Sequence, residues 1–358
     1  MADLQELLRI EETSERITGG ELALRENSLA IMNGEQPDAY LDFMATMDFI
    51  WDPILAEEVL PPDGVMRKDP WGTTKVCLPG APGAHPVIND KNKVIKDLDE
   101  WESELVLPNL DNYDWTIADA TYQSIDRGEK FVGFFCATGI FERSHFLMGM
   151  EDALCAYMED DDDHHPMYDM LGVIADWKIK QIEMMAEKYH PDVIFYQDDW
   201  GSKQNLFLSP ALWRKTILPH QKRIAKAIKD CGMMYVHHAD CICEPIVDDM
   251  VELGIDIWQG VIPENDIVGI QKHIKEKYGQ PGKMCIQGGI DTPRIDFEGA
   301  SQELVFDEIH RAVDTYCAQG YMFPGFPGGG CLNGGIDEIA RPELLRYGIE
   351  YAKTHPVA

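Results

Sequence analysis

Six short apolar runs, each followed by a helical stretch, constrain this chain more than any other feature. The runs are Phe131–Cys136, Val193–Tyr196, Met233–Val236, Asp256–Gln259, Met284–Gln287 and Tyr321–Phe323. Each is short enough for a buried strand and too short for a helix. The sequence between them takes helical periodicity, as in Pro166–Tyr189, Asp266–Tyr278 and Gln302–Gln319. Strands separated by helices pair in parallel, because a parallel pair needs a long crossover. A candidate strand at Tyr40–Met44 and another near Thr74 bring the count to eight. Eight strands alternating with helices predict an α/β fold, a (β/α)8 TIM barrel. The expected organisation is a single barrel domain over residues 1–358, with residues 1–36 as an N-terminal helical extension. No glycine fingerprint of a dinucleotide fold and no phosphate-binding P-loop follows any of the strands.

Composition narrows the partners. The chain has 358 residues, 45% of them hydrophobic, enough for a large core. Its formal charge of −32 disfavours nucleic acid and anionic membranes. No apolar run is long enough to cross a bilayer, and the charged start at Met1–Arg16 has no secretory core, so a cytoplasmic protein is expected. The nine cysteines are scattered, which suits core residues with a few ligands or nucleophiles, not a disulfide framework.

The chemistry gathers at strand ends. The Met233 run finishes in His237-His238-Ala239-Asp240-Cys241-Ile242-Cys243-Glu244 and passes directly into helical sequence. In a barrel, residues just after each strand share one rim. That rim would hold Asp198, Asp199, His237, His238, Asp240, Cys241, Cys243, Gln259, Gln287 and Cys331. Imidazole, thiol and carboxylate groups on one rim suit a zinc site with an open position. The candidate metal ligands are His238, Asp240, Cys241 and Cys331. His238 and Asp240 are two apart and share a face if the backbone stays extended. Asp198 and Asp199 are costly to bury unless they meet a cation, a donor or a proton. One of them is expected to cap the next helix. Trp200 offers a flat wall, and Gln204 and Asn205 offer neutral hydrogen bonds.

These stretches together resemble the uroporphyrinogen decarboxylase superfamily. The resemblance rests on Thr138–Arg143, Asp198-Asp199-Trp200-Gly201 with Ser209-Pro210, His238 with Glu244-Pro245-Ile246, Gly254-Ile255-Asp256, and Gln287–Asp291. It implies the (β/α)8 barrel already expected. The superfamily's true decarboxylases carry an Arg-Gln-Ala-Gly-Arg-Tyr motif near the N-terminus that holds a polycarboxylate; this chain has none. It looks closer to the cobamide-dependent methyltransferases, which exchange a methyl group with the cobalt of a separate corrinoid-binding protein. Thiol-methylating members hold zinc with His-x-Cys and a later Cys. The corresponding residues here are His238, Asp240 and Cys331. Asp240 in place of the first cysteine makes a harder site, suited to an oxygen-bearing ligand. The resemblance therefore implies demethylation of a small methoxylated, aromatic substrate. The catalytic candidates are His238, Asp199 and Asp240. The substrate-binding candidates are Phe141, Glu142, Trp200, Gln204, Gln259 and Gln287, with Trp258 and Phe326 as further wall residues. A homodimer is compatible with this reading. The alternatives are a uroporphyrinogen-decarboxylase-like lyase and a methylcobamide:thiol methyltransferase.

Overall fold

The computed structural model describes residues 17–81, 83–159, 164–328 and 334–357. Its strands, in chain order, are β1 (Met47–Ile50), β2 (Arg67–Lys68), β3 (Thr74–Val76), β4 (His85–Pro86), β5 (Phe131–Cys136), β6 (Val193–Gln197), β7 (Met234–His238), β8 (Ile257–Val261), β9 (Cys285–Gly289) and β10 (Met322–Gly325). Strands β1 and β5 to β10 form one curled parallel sheet in sequence order, with helices in the crossovers. This is the α/β, barrel-like architecture expected from the alternation. The six strands from Phe131 onward fall where the apolar runs place them.

The first quarter of the chain differs from the expectation. The Tyr40–Met44 stretch is not a strand. Asp42 accepts a hydrogen bond from the Met44 amide (3.0 Å), and this local bond draws the chain into a 3-10 turn, Phe43–Thr46, before β1 begins. The strand near Thr74 forms, but it belongs elsewhere. Asp69 accepts from the amides of Trp71 (3.0 Å) and Thr73 (2.9 Å), folding the chain back so that β3 pairs antiparallel with β2 and β4. Among the described residues the parallel sheet therefore has seven strands, not eight. The 3-10 turn runs directly into β1 at one edge and reaches β10 at the other: the Phe43 ring lies 5.1 Å from Phe323 of β10, and 6.0 Å from Phe131 of β5. Gln287 of β9 also donates to Asp42 (2.8 Å).

Of the helical extension, residues 17–22 make turns and Leu24–Asn33 is a helix; residues 1–16 lie outside the described residues. No described helix is long and apolar enough to cross a membrane.

Register sets up the site. Gln197, His238, Gln259 and Gln287 are partners across β6, β7, β8 and β9. Side chains alternate faces along a strand, so one row of four polar side chains crosses the inner face near the strand ends. Two residues earlier on β6 and β5 stand Phe195 and its partner Phe135. Their rings stack at 5.0 Å, and Trp51, just beyond β1, stacks on Phe135 at 5.1 Å.

Candidate metal centre at the strand ends

His238 ends β7 and is 7% exposed. Its Nδ1 hydrogen-bonds Gln259 Oε1 from the neighbouring strand. Gln259 Nε2 donates to the Pro327 carbonyl (3.3 Å), which fixes the amide so that its oxygen faces the imidazole. An amide oxygen only accepts, so Nδ1 carries the proton and Nε2 is the nitrogen left for a ligand. Gly260, at φ +92°, makes room: a Cβ there would stand 3.0 Å from His238 Nδ1. Gln259 thus orients the ring, and the substrate contact expected of it is already spent.

Asp240, two residues past His238, returns to the same side. Asp199, beyond the end of β6, accepts a hydrogen bond from the Asp240 amide (3.0 Å). One ligand atom from each of Asp199, His238 and Asp240 lies within 4.8 Å of the others. Among the described residues this is the one group of three or more such side chains that could hold a metal ion. Burial, then the Asp199 charge, pushes the Asp240 carboxyl above its usual value. Glu142 stands against the same acids. Its Oε2 is buried without a hydrogen-bond partner, and burial, then Asp199 and Asp198, raises its carboxyl well above the ordinary range. Two carboxylates, one imidazole and an orphaned buried carboxyl oxygen beside them fit a divalent cation of the harder or borderline kind.

Asp198 does different work. It is fully buried and accepts from the amides of Phe141 (3.2 Å) and Glu142 (2.9 Å) and from the Trp200 indole (3.1 Å). It therefore caps the helix Ile140–Met148, which follows β5, and not the helix after its own strand. Gly139 is needed there because a Cβ would collide with the Asp198 carboxyl. Burial pushes the Asp198 carboxyl up to about 7, against the pull of those two amides and the indole. Asp198→Ala is expected to destabilise the fold by about 1–3 kcal/mol through the two amides it leaves unpaired, with Asp198→Asn milder, measured by denaturant unfolding.

Several expected site residues stand elsewhere. The Cys241 thiol points to Cys243 (Sγ–Sγ 3.5 Å) and is 1% exposed. The Cys243 hydrogen bond, then burial, holds that thiol well above its usual value, and the thiol is not among the side chains close enough to share an ion with His238. Cys241→Ser is accordingly expected to leave metal content unchanged, read by elemental analysis. Cys331 lies outside the described residues. Trp200 is 1% exposed; its ring stacks on His237 at 4.0 Å and meets Trp213 edge-on at 4.9 Å. It supports the strand ends from behind and offers no wall. Phe141 is packed between Tyr157 and Phe207, Trp258 is fully buried, and Phe326 lies under Arg341. Gln287 uses its amide on Gly260 N (3.2 Å) and Asp42 (2.8 Å), while Gln204 sits exposed on the loop after β6.

The rings beside His238 are others: Phe195 stacks on the imidazole at 5.6 Å, continuing the row from Trp51 and Phe135. On the opposite side a cleft of about 240 Å³ reaches Asp240 between the ends of β8, β9 and β10.

The model of the uroporphyrinogen decarboxylase (URO-D) family matches residues 117–324, more than half of the chain. The chain belongs to the uroporphyrinogen decarboxylase family. The match covers six of the seven parallel strands, from β5 to β10, and with them Asp199, His238 and Asp240. No individually curated protein matches the chain. Family members are enzymes, and an enzyme's catalytic groups in this architecture belong at the C-terminal ends of the strands, where the Asp199–His238–Asp240 group stands. Orientation of His238 by Gln259 makes a specific demand of this member. Gln259→Leu should lower divalent-metal affinity by about 10–100-fold, as loss of a ligand-orienting partner does, with a stability loss of about 1–3 kcal/mol from the His238 Nδ1–H and Pro327 carbonyl it leaves unpaired.

Proposed function

We propose that this uroporphyrinogen decarboxylase family member is a methyltransferase. It moves a methyl group from a small methoxylated donor, aromatic in character, to the cobalt of a separate corrinoid-binding protein. The observation that carries the reading is the Asp199–His238–Asp240 group at the barrel rim, two carboxylates and one imidazole with a cleft beside them. Such a set suits an oxygen-bearing ligand better than a thiol. The rings of Trp51, Phe135 and Phe195 give an apolar approach to His238 on the other side.

An alkyl ether resists cleavage because the oxygen leaves poorly as an anion. A divalent ion held by Asp199, His238 Nε2 and Asp240, with zinc the first candidate, would supply Lewis acidity at that oxygen. The protein's own groups do the rest. Gln259 keeps Nε2 turned to the site, and Asp198 fixes the start of the Glu142 helix. Glu142, whose carboxyl burial, then Asp199 and Asp198, raises well above the ordinary range, would be a proton source for the leaving oxygen. The methyl carbon–oxygen bond breaks with its electron pair remaining on oxygen, while the methyl goes to the incoming cobalt nucleophile. That nucleophile must approach in line, so the donor has to lie at the open rim.

The test mixes the protein with a reduced corrinoid protein and a panel of methoxyarenes, methylamines and methyl thiols, following the cobalt spectrum. Methyl transfer from a methoxylated compound is expected. Transfer only from a thiol or an amine keeps the class and rejects the ether. Carbon dioxide release without any corrinoid requirement replaces the reading with a decarboxylase.

A further inference from the structure

A second cavity lies in the outer layer of helices and shares no residue with the Asp199–His238–Asp240 group. It measures about 460 Å³, within the range of small-ligand sites, and opens between the helices Pro166–Tyr189 and Leu218–Asp230 and the short helix Trp101–Glu104. His220 forms part of its wall and is only 3% exposed. Neither ring nitrogen reaches a hydrogen-bond partner, although the Tyr168 backbone carbonyl pulls weakly on one N–H. The ring meets the Tyr168 ring at 4.2 Å and rests against Gly172, where a Cβ would stand 3.2 Å from His220 Cε1. A glycine inside a helix and a buried imidazole without partners both cost stability. Two such costs at one cavity mark a place shaped for more than packing.

The state of the ring decides what it can take. Burial, then Arg223, pushes the imidazole down to about 4, so the ring is neutral at about pH 7. A neutral imidazole has one N–H and one lone pair. The N–H leans on Tyr168, which leaves the lone pair to meet a donor from the cavity. The rest of the lining repeats that preference. Glu102 and Asp169 have no ion pair among the described residues, whereas Arg223 is held by Asp176. Trp101 and Tyr168 add half-buried aromatic faces, which attract a cation through the ring quadrupole. The acids and rings favour positive charge in general; the buried lone pair adds that the cation must carry an N–H and says where it points.

We propose that this cavity binds a small, flat organic cation of the amidinium or guanidinium class, with one N–H donated to the unpartnered nitrogen of His220 and its face against Trp101 and Tyr168. The site is independent of the methyl-transfer reading, and its test needs neither corrinoid protein nor methyl donor. Three ligands of one shape are titrated calorimetrically: benzamidinium, benzamide and benzoate. Benzamidinium is expected to bind about tenfold more tightly than benzamide, with benzoate weakest. His220→Phe keeps a ring and removes the lone pair. It should weaken benzamidinium by about tenfold or more, with a melting temperature equal to or above wild type, since no buried nitrogen is then left without a partner. A purely structural imidazole would give the reverse, an undiminished affinity and a lower melting temperature. Glu102→Gln with Asp169→Asn, both at exposed positions, should bring benzamidinium and benzamide to within about threefold, and this variant tests the site even where His220→Phe fails to fold. Metal content at the barrel rim should be the same in both variants as in the wild type. An affinity for benzamidinium that either folded variant leaves unchanged overturns the proposal. So does benzamide or benzoate binding as tightly as benzamidinium, or no binding by any of the three, which would leave the cavity to water.

Discussion

His238→Ala is expected to abolish metal binding and to lower methyl transfer by about a hundredfold or more, the scale of lost acid catalysis or lost stabilisation of a leaving oxygen. Protein purified without chelator should carry about one divalent ion per chain if a single such site is filled, and the variant close to none. The imidazole is the only nitrogen ligand in the group, and it is pre-oriented by Gln259. Without it two carboxylates remain, which bind a borderline cation far less well. The substitution also strands Gln259 Oε1 in a buried position, so a stability loss of about 1–3 kcal/mol accompanies it. That loss separates from the functional one: the melting transition shifts but stays cooperative, whereas the metal is gone. Turnover should fall more than affinity for the donor, because the lost interaction acts on the leaving oxygen as the bond breaks. Unchanged metal content in His238→Ala would remove this centre from consideration.

The parts of the fold legible in the sequence are those whose signal is local. Strands β5 to β10 are short buried runs bounded by helical sequence, in places with a local cap such as Ser209-Pro210. His238 and Asp240 share a face because two residues of near-extended chain return a side chain to the same side, and that parity is visible in the sequence. Illegible features depend on contacts far away in the chain. Asp42 turns its own strand candidate into a 3-10 turn and meets Gln287 of β9, 245 residues later. Thr74 lies in a run that reads as a barrel strand; the Asp69 turn that diverts it is local, but the packing that holds it, Lys75 on Glu58, is not. Trp200 and Cys241 follow strand ends as closely as Asp199 and Asp240 do. Adjacent residues point to opposite sides, however, and nothing in Asp198-Asp199-Trp200 or Asp240-Cys241 says which residue faces the opening. The Trp51–Phe135–Phe195 row is assembled from three strand regions, so no single stretch announces it.

The largest stability effect is expected at Arg143, in a cluster that no local pattern reveals. Arg143 is fully buried and donates to Glu58 (2.9 and 3.2 Å) and Asp69 (3.2 Å). Lys75 joins the same two carboxylates, and the guanidinium lies 4.6 Å from the Trp71 ring centroid. Two cations thus balance two carboxylates, and together they pin the β2–β4 sheet to the helix Ile140–Met148. Arg143→Met keeps the length and apolar stem but leaves two buried carboxylates to one lysine. Breaking a buried pair from one side costs about 3–5 kcal/mol, because the remaining charge keeps its desolvation penalty; a fall of that size in unfolding free energy is expected, with the slope against urea unchanged. The pH dependence identifies the cause. Burial alone would raise the Glu58 carboxyl, but Arg143 and then Lys75 outweigh it and hold it below its ordinary 4.5. A carboxyl lowered on folding contributes stability that is complete above its unfolded value and is lost as pH falls through the folded one. The gap between wild type and Arg143→Met should therefore be full above pH 4.5 and narrow below it; a gap independent of pH would point to lost packing on Trp71 instead. Arg143 directly follows Glu142, whose amide Asp198 holds, so loosening this anchor reaches the centre as well. A measurable fall in metal affinity is expected in Arg143→Met even where the chain remains folded.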